Sequence, residues 1–124
     1  MNYNQKIGQF GEELAKRYLL RKGYRIIAKN KNTGHKEIDI IAMDKKDLVF
    51  VEVKTRTSLI YGEADEAATA RKINNIRRAT ELYLQYNNIN YSDIRIDLIS
   101  VDINKSKKIA NIKHYKDIVW LLAW

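Results

Sequence analysis

The segment Leu48-Val49-Phe50-Val51-Glu52-Val53-Lys54 constrains the fold more than any other part of the chain. Its β-branched residues at 49, 51 and 53 fall on one face of a strand, and 48, 50, 52 and 54 fall on the other, because successive side chains alternate. Glu52 and Lys54 break an otherwise apolar pattern with two charges on one face, their Cα atoms roughly 6.5–7 Å apart at the strand rise. Asp39 does the same in the preceding apolar run Ile38-Asp39-Ile40-Ile41. Charges in such surroundings are costly unless they are paired or bound to a metal.

The rest of the chain can be read around these two strands. Proline is absent, so breaks are marked by Gly, Asn and Asp. Ile7, Phe10, Leu14 and Tyr18 recur at helical spacing between about Asn4 and Lys22, and Gly23 stops that helix. Tyr24–Ala28 is a short strand and Asn30–Lys36 a polar loop. Glu37–Met43 and Leu48–Arg56 form a hairpin across Asp44-Lys45-Lys46-Asp47. After a turn near Ser58–Gly62, a helix from about Glu63 to Tyr86 carries a buried stripe of Ala70, Ile73, Ile76, Thr80 and Tyr83. A loop, Asn87–Ser92, leads to a strand at Ile94–Ile103, a further strand at Ile109–Tyr115, and an apolar tail at about 118–124. The order α, β, β, β, α, β, β predicts an α/β fold with a mixed sheet flanked by helices. The stretch from 48 to 103 predicts a crossover that makes its two strands parallel.

A chain of 124 residues is expected to form one domain, residues 1–124. With no apolar run of membrane-spanning length and no apolar signal-peptide core, a cytoplasmic protein without membrane association is expected. The lack of cysteine excludes disulfides and thiolate metal sites. The net charge of +8 and a pI near 9.6 favour a polyanionic partner, nucleic acid above all.

Two readings of the charged strand residues compete. One is a salt bridge of Lys54 with Asp39 or Glu52 on a solvated face. The other is a divalent-cation site, since Mg²⁺ takes one or two carboxylates plus water and phosphate. Lys54 then supplies a cation for a phosphate oxygen, its acidic neighbours favouring the charged ammonium.

The ordered set Gly8-Gln9-Phe10-Gly11-Glu12-Glu13-Leu14-Ala15, Gly23-Tyr24-Arg25-Ile26-Ile27, Glu37-Ile38-Asp39-Ile40-Ile41-Ala42 and Leu48 through Arg56 resembles the PD-(D/E)xK nuclease superfamily. Within it, the chain is most similar to the small bacterial YraN family, over about residues 7–115. The resemblance implies a restriction-endonuclease-like αβββαβ core and a Mg²⁺- or Mn²⁺-dependent nuclease site. Asp39 matches the acid of the second strand, and Glu52 with Lys54 matches the E-x-K pair. The N-terminal helix glutamate matches Glu12 or Glu13; Glu12 borders the apolar ridge with Ala15 and Leu19, whereas Glu13 points outward. The catalytic set is therefore Glu12, Asp39, Glu52 and Lys54, with Glu12, Asp39 and Glu52 toward the metal. The chain departs from the family pattern before Glu37, where it reads Lys31-Asn32-Thr33-Gly34-His35-Lys36, and Ile38 stands where the superfamily has proline.

Around that set, Arg56 reads as a phosphate contact or a solvated strand-end arginine. Lys72, Arg71 and Arg78 read as a phosphate-tracking stripe or a solvated helix face. His35 and His114 are not spaced as a metal pair, and Tyr83 is better suited to packing than to base stacking. The expected activity is DNA phosphodiester hydrolysis, on a branched, flapped or single-stranded form. The alternative is a nucleic-acid-binding module with little or no turnover. Trp120 and Trp124 in the tail suit core packing or a homodimer contact.

Overall fold

Asn2 and Gln5 begin the first helix by bonding to each other's backbone. The Gln5 amide donates to Asn2 Oδ1 at 2.8 Å, and the Asn2 amide donates to Gln5 Oε1 at 3.1 Å. The helix α1 (Tyr3–Arg21) ends at Gly23, whose φ of +92° an L side chain rarely adopts. The Gly23 and Tyr24 amides then donate back to the Leu20 and Leu19 carbonyls. This computed structural model describes residues 2–57 and 70–118.

Five strands and a second helix follow: β1 (Arg25–Asn32), β2 (Glu37–Asp44), β3 (Asp47–Thr57), α2 (Ala70–Tyr86), β4 (Asp93–Asn104) and β5 (Ile109–Tyr115). The strands form one sheet in the order β1-β2-β3-β4-β5, antiparallel except for the parallel pair β3 and β4. The β3–α2–β4 stretch is thus the crossover expected from residues 48–103. The architecture is α/β with a mixed sheet, consistent with a restriction-endonuclease-like core.

Each face of the sheet is covered by one helix, which explains why β3 is apolar on both sides. Val49 and Val51 pack with Ile40, Ala42, Ile99, Val101 and the α1 residues Ala15 and Leu19. Leu48 and Phe50 pack with Ile41, Met43, Ile96, Leu98 and the α2 residues Ile73, Ile76, Ala79 and Tyr83. Tyr83 meets Phe50 edge-on at 5.6 Å, a packing role.

Two features differ from expectation. The strand β1 runs to Asn32, through half of the segment read as a loop, because its outer residues pair with β2 while facing solvent. Phe10 lies outside the apolar stripe and is 52% exposed. The buried ridge of α1 is instead Gly11, Ala15 and Leu19, of which the small Gly11 and Ala15 let the helix approach the sheet. A β-carbon at position 11 would lie 2.7 Å from Thr55 Cβ and would run into its hydroxyl. The early part of the long helix (63–69) and the tail from 119 lie outside the described residues. Ile118 is buried in the α2-side core.

Candidate metal centre

The hairpin of β2 and β3 forks toward its open end. Their ladder runs from Asp44 opposite Asp47 to Ile40 opposite Val51 and stops there. Beyond that point β2 stays with β1 as far as Glu37, and β3 stays with β4 as far as Thr57. Asp39 and Glu52 are the first residue of each strand past the last pair, so the fork places two carboxylates at its mouth.

The Val53 amide, which no longer faces a β2 carbonyl in the ladder, donates to Asp39 Oδ2 at 2.8 Å. The Glu52 carboxylate lies close enough to act on Asp39 through hydrogen bonding and charge. Burial, the Glu52 hydrogen bond and charge, and the charge of Glu12 together push the Asp39 carboxyl up to about 8, against the opposing effect of the Val53 amide. The site therefore holds more negative charge than it can carry unaided. Two residues beyond Glu52 along β3, Lys54 helps line an open groove of about 440 Å³ whose other walls include Tyr3, Gly8 and Glu12.

Close contact between Gly11 and Thr55 brings α1 down onto β3, and Glu12 is the next residue. Asn30 Nδ2 donates to Glu12 Oε1 at 2.8 Å and to Glu37 Oε1 at 3.1 Å. Asn30 has φ +50°, a left-handed conformation that asparagine tolerates better than most residues, and it falls opposite Asp39, between the Lys29–Ile40 and Lys31–Ile38 pairs of the β1–β2 ladder. Glu13 bonds outward to Arg17 and Lys29 at 3.4 and 3.3 Å. Glu12 is thus the helix glutamate directed to the acidic cluster.

Glu52 does form a salt bridge, but to Lys36 rather than Lys54: the Lys36 ammonium lies 2.9 Å from Glu52 Oε2. Among the described residues, no three acidic or histidine side chains are already gathered about one point as a metal cage. The fork nevertheless offers two adjacent carboxylates, and a buried acid forced to keep its proton is relieved by a divalent cation. One or two carboxylates are also what Mg²⁺ ordinarily takes from protein. Asp39 and Glu52 fit as its ligands, with Glu12 a further acid whose charge reaches Asp39.

The predicted nucleic-acid residues divide in two. Arg56 is 7% exposed and donates to Asp102 Oδ1 at 2.6 Å and Ser100 Oγ at 3.1 Å, across the parallel β3–β4 register. A guanidinium enclosed in this way ties strands together and is not presented to a phosphate. Arg71, Lys72 and Arg78 are exposed on α2, the helix of the opposite sheet face from α1.

Asn30 and Lys36 emerge only from the structure, since their positions depend on the β1–β2 register and the intervening turn. A buried network on the α1 side was also missed. Asp97, wholly buried, accepts from His114 Nε2 at 2.7 Å, from Arg95 Nε at 3.0 Å and from the Asp117 amide at 2.9 Å. His114 Nδ1 meets the Tyr18 hydroxyl at 3.0 Å, and Arg95 reaches Tyr24 and Asp44. Only the alternation of β4 hinted that Asp97 points inward.

Residues 11–101 match the family model described as "Uncharacterised protein family UPF0102". A UPF0102 protein of Syntrophomonas wolfei subsp. wolfei is 40% identical over 108 residues, covering 87% of this chain and 94% of that one. One from Alkaliphilus oremlandii is 46% identical over 114 residues, covering 90% and 97%. One from Clostridium botulinum (strain Loch Maree) is 42% identical over 119 residues, covering 94% and 97%. With a matched span that runs from Gly11 through Asp39 and Lys54 to Val101, the chain belongs to the UPF0102 family, which is the YraN family.

Proposed function

We propose that this chain is a divalent-metal-dependent nuclease that hydrolyses DNA phosphodiester bonds. The observation that carries the reading is the fork of β2 and β3. There Asp39 is fixed by the Val53 amide and stands, with Glu52, at the first position past the end of the ladder, with Lys54 two residues further along β3. Asp39 and Glu52 would hold Mg²⁺ or Mn²⁺, and Glu12 adds a third acid from α1. When bound, the ion supplies charge withdrawal from the phosphodiester and acidification of water.

The protein's own groups do the remaining work. The Val53 amide and the ladder end hold Asp39 in place, and Asn30 holds Glu12, so little reorientation is left for the moment of reaction. Lys54 provides a fixed positive charge for a phosphate oxygen as negative charge develops there. The open grooves beside Glu12, about 440 and 650 Å³, leave the cluster accessible from solvent. The +8 charge favours approach of a polyanion.

A second reading, a nucleic-acid-binding module without turnover, is favoured by the Lys36–Glu52 ion pair, which occupies one of the two carboxylates. Incubation with labelled linear, flapped and four-way DNA in Mg²⁺ and in Mn²⁺ separates the two. Cleavage that disappears in Asp39→Ala and in Lys54→Ala supports the nuclease. Binding without cleavage in both ions supports the module, and cleavage that survives in Asp39→Ala places the activity elsewhere.

A further inference from the structure

We infer that Lys36 is a tethered cation that stands on Glu52 in the metal-free protein and competes with the divalent ion, so that it sets the affinity of the site for metal. The inference rests on the metal-site reading of Asp39 and Glu52 and concerns what opposes the ion there.

The geometry of the pair is specific. The Lys36 ammonium lies 2.9 Å from Glu52 Oε2, and both side chains are mostly shielded, at 27% and 21% exposure. Partial shielding makes the contact stronger than an ion pair in open solvent. Glu52 and Asp39 stand side by side at the end of the β2–β3 ladder, and among the described residues no other side-chain cation is seen bonded to Glu12, Asp39 or Glu52. The positive charge that partners the cluster thus comes from this lysine.

The backbone that carries Lys36 is held while its side chain is long and rotatable. Thr33 Oγ1 donates to the Lys36 carbonyl at 2.7 Å and accepts from the Lys36 amide at 3.3 Å. The Thr33 amide adds a bond to the same carbonyl at 3.2 Å, and Gly34 turns the chain at φ +89°. The Gly34 amide donates to Asn32 Oδ1 at 2.7 Å. A turn braced at several points delivers the ammonium to Glu52, and four methylene groups let it swing away without disturbing that turn.

A divalent ion and an ammonium cannot both sit against one carboxylate without strong like-charge repulsion. Binding of the ion on Glu52 is therefore opposed by Lys36, and the free energy of the weakened ion pair is subtracted from the ion's affinity. Replacing the ammonium with a neutral side chain of similar length removes that cost. A lysine that merely stabilises the site would behave in the opposite sense, since its removal would weaken metal binding along with the fold.

Calorimetric titration of Mn²⁺ into the full chain at pH 7.5 tests the inference, using wild type, Lys36→Met, Lys36→Gln and Lys36→Arg. We expect Lys36→Met and Lys36→Gln to bind Mn²⁺ at least about tenfold more tightly than wild type, and Lys36→Arg to stay within a few-fold of it. Without the ion, the Met and Gln variants should unfold at a lower temperature than wild type, and saturating Mn²⁺ should close that gap. Equal or weaker Mn²⁺ binding by both neutral variants overturns the inference while leaving the metal site standing. No Mn²⁺ binding by any of the four proteins overturns the metal reading and the inference together.

Discussion

The Val53 amide donates to the Asp39 carboxylate at 2.8 Å, although the two residues lie on strands whose ladder has already ended at Ile40 and Val51. A side chain has taken over where a backbone carbonyl stops. That substitution lets the strands part while keeping an acid of β2 beside an acid of β3, and most of the account follows from it.

Asp39 should make the metal-free protein sensitive to alkali. Its carboxyl is pushed up to about 8 in the fold from an ordinary value of 3.8. The contribution of the protonated acid is therefore fully present below about pH 4 and is lost as pH rises through about 8. Asp39→Asn keeps an acceptor for the Val53 amide without the charge. In chelator, the variant should match wild type near pH 4 and exceed it by at least about 1 kcal/mol at pH 9. Denaturant unfolding across that range checks the slope; a difference independent of pH would contradict it.

Gly11→Ala should destabilise the protein even though alanine favours a helix. The new β-carbon would meet Thr55, a stiff β-branched side chain on a central strand. Overpacking costs about 1–3 kcal/mol and the helix-propensity gain offsets at most about 1 kcal/mol. Thr55→Ala in the same chain should recover part of the loss in a double-mutant cycle.

Much of this was legible in the residues. The charges at 39 and 52 inside apolar runs are the two that the end of the β2–β3 ladder brings together, and the two-sided apolar pattern of 48–51 agrees with helices on both faces. Helical spacing separated Glu12 from Glu13. What could not be read was register. Phe10 looked like core because spacing alone does not reveal that Gly11 sets the depth of the helix. Arg56 looked like a surface cation because its partner, Asp102, lies 46 residues away and meets it only through the β3–β4 pairing. Asn30 and Lys36 were hidden for the same reason, in a stretch that reads as polar loop.

Arg56 should matter for stability rather than for nucleic-acid binding. Asp102→Ala leaves a buried guanidinium with Ser100 as a neutral partner and Nε buried without a hydrogen-bond partner among the described residues. Breaking such a pair costs about 3–5 kcal/mol. Thermal unfolding should show a large loss, whereas an unchanged melting temperature would return Arg56 to the candidate surface.

Asp97 predicts a pH dependence of the opposite sign to Asp39. Burial works against its charge, but hydrogen bonds from His114, Arg95 and the Asp117 amide outweigh burial and hold the carboxyl below 3.8. Its contribution is present above about pH 4 and is lost as pH falls through the depressed value. Asp97→Asn should therefore lower stability at pH 7 by at least about 2 kcal/mol and flatten the acid limb of the unfolding profile. A parallel shift at all pH values would contradict this assignment.

The most direct test of the central claim is an anomalous difference map from a crystal of the wild-type protein soaked in Mn²⁺. The expected result is a peak at the fork of β2 and β3, coordinated by Asp39 and Glu52, with the Lys36 ammonium displaced from Glu52. A fork without a peak, with Lys36 still paired to Glu52 at saturating Mn²⁺, would contradict it.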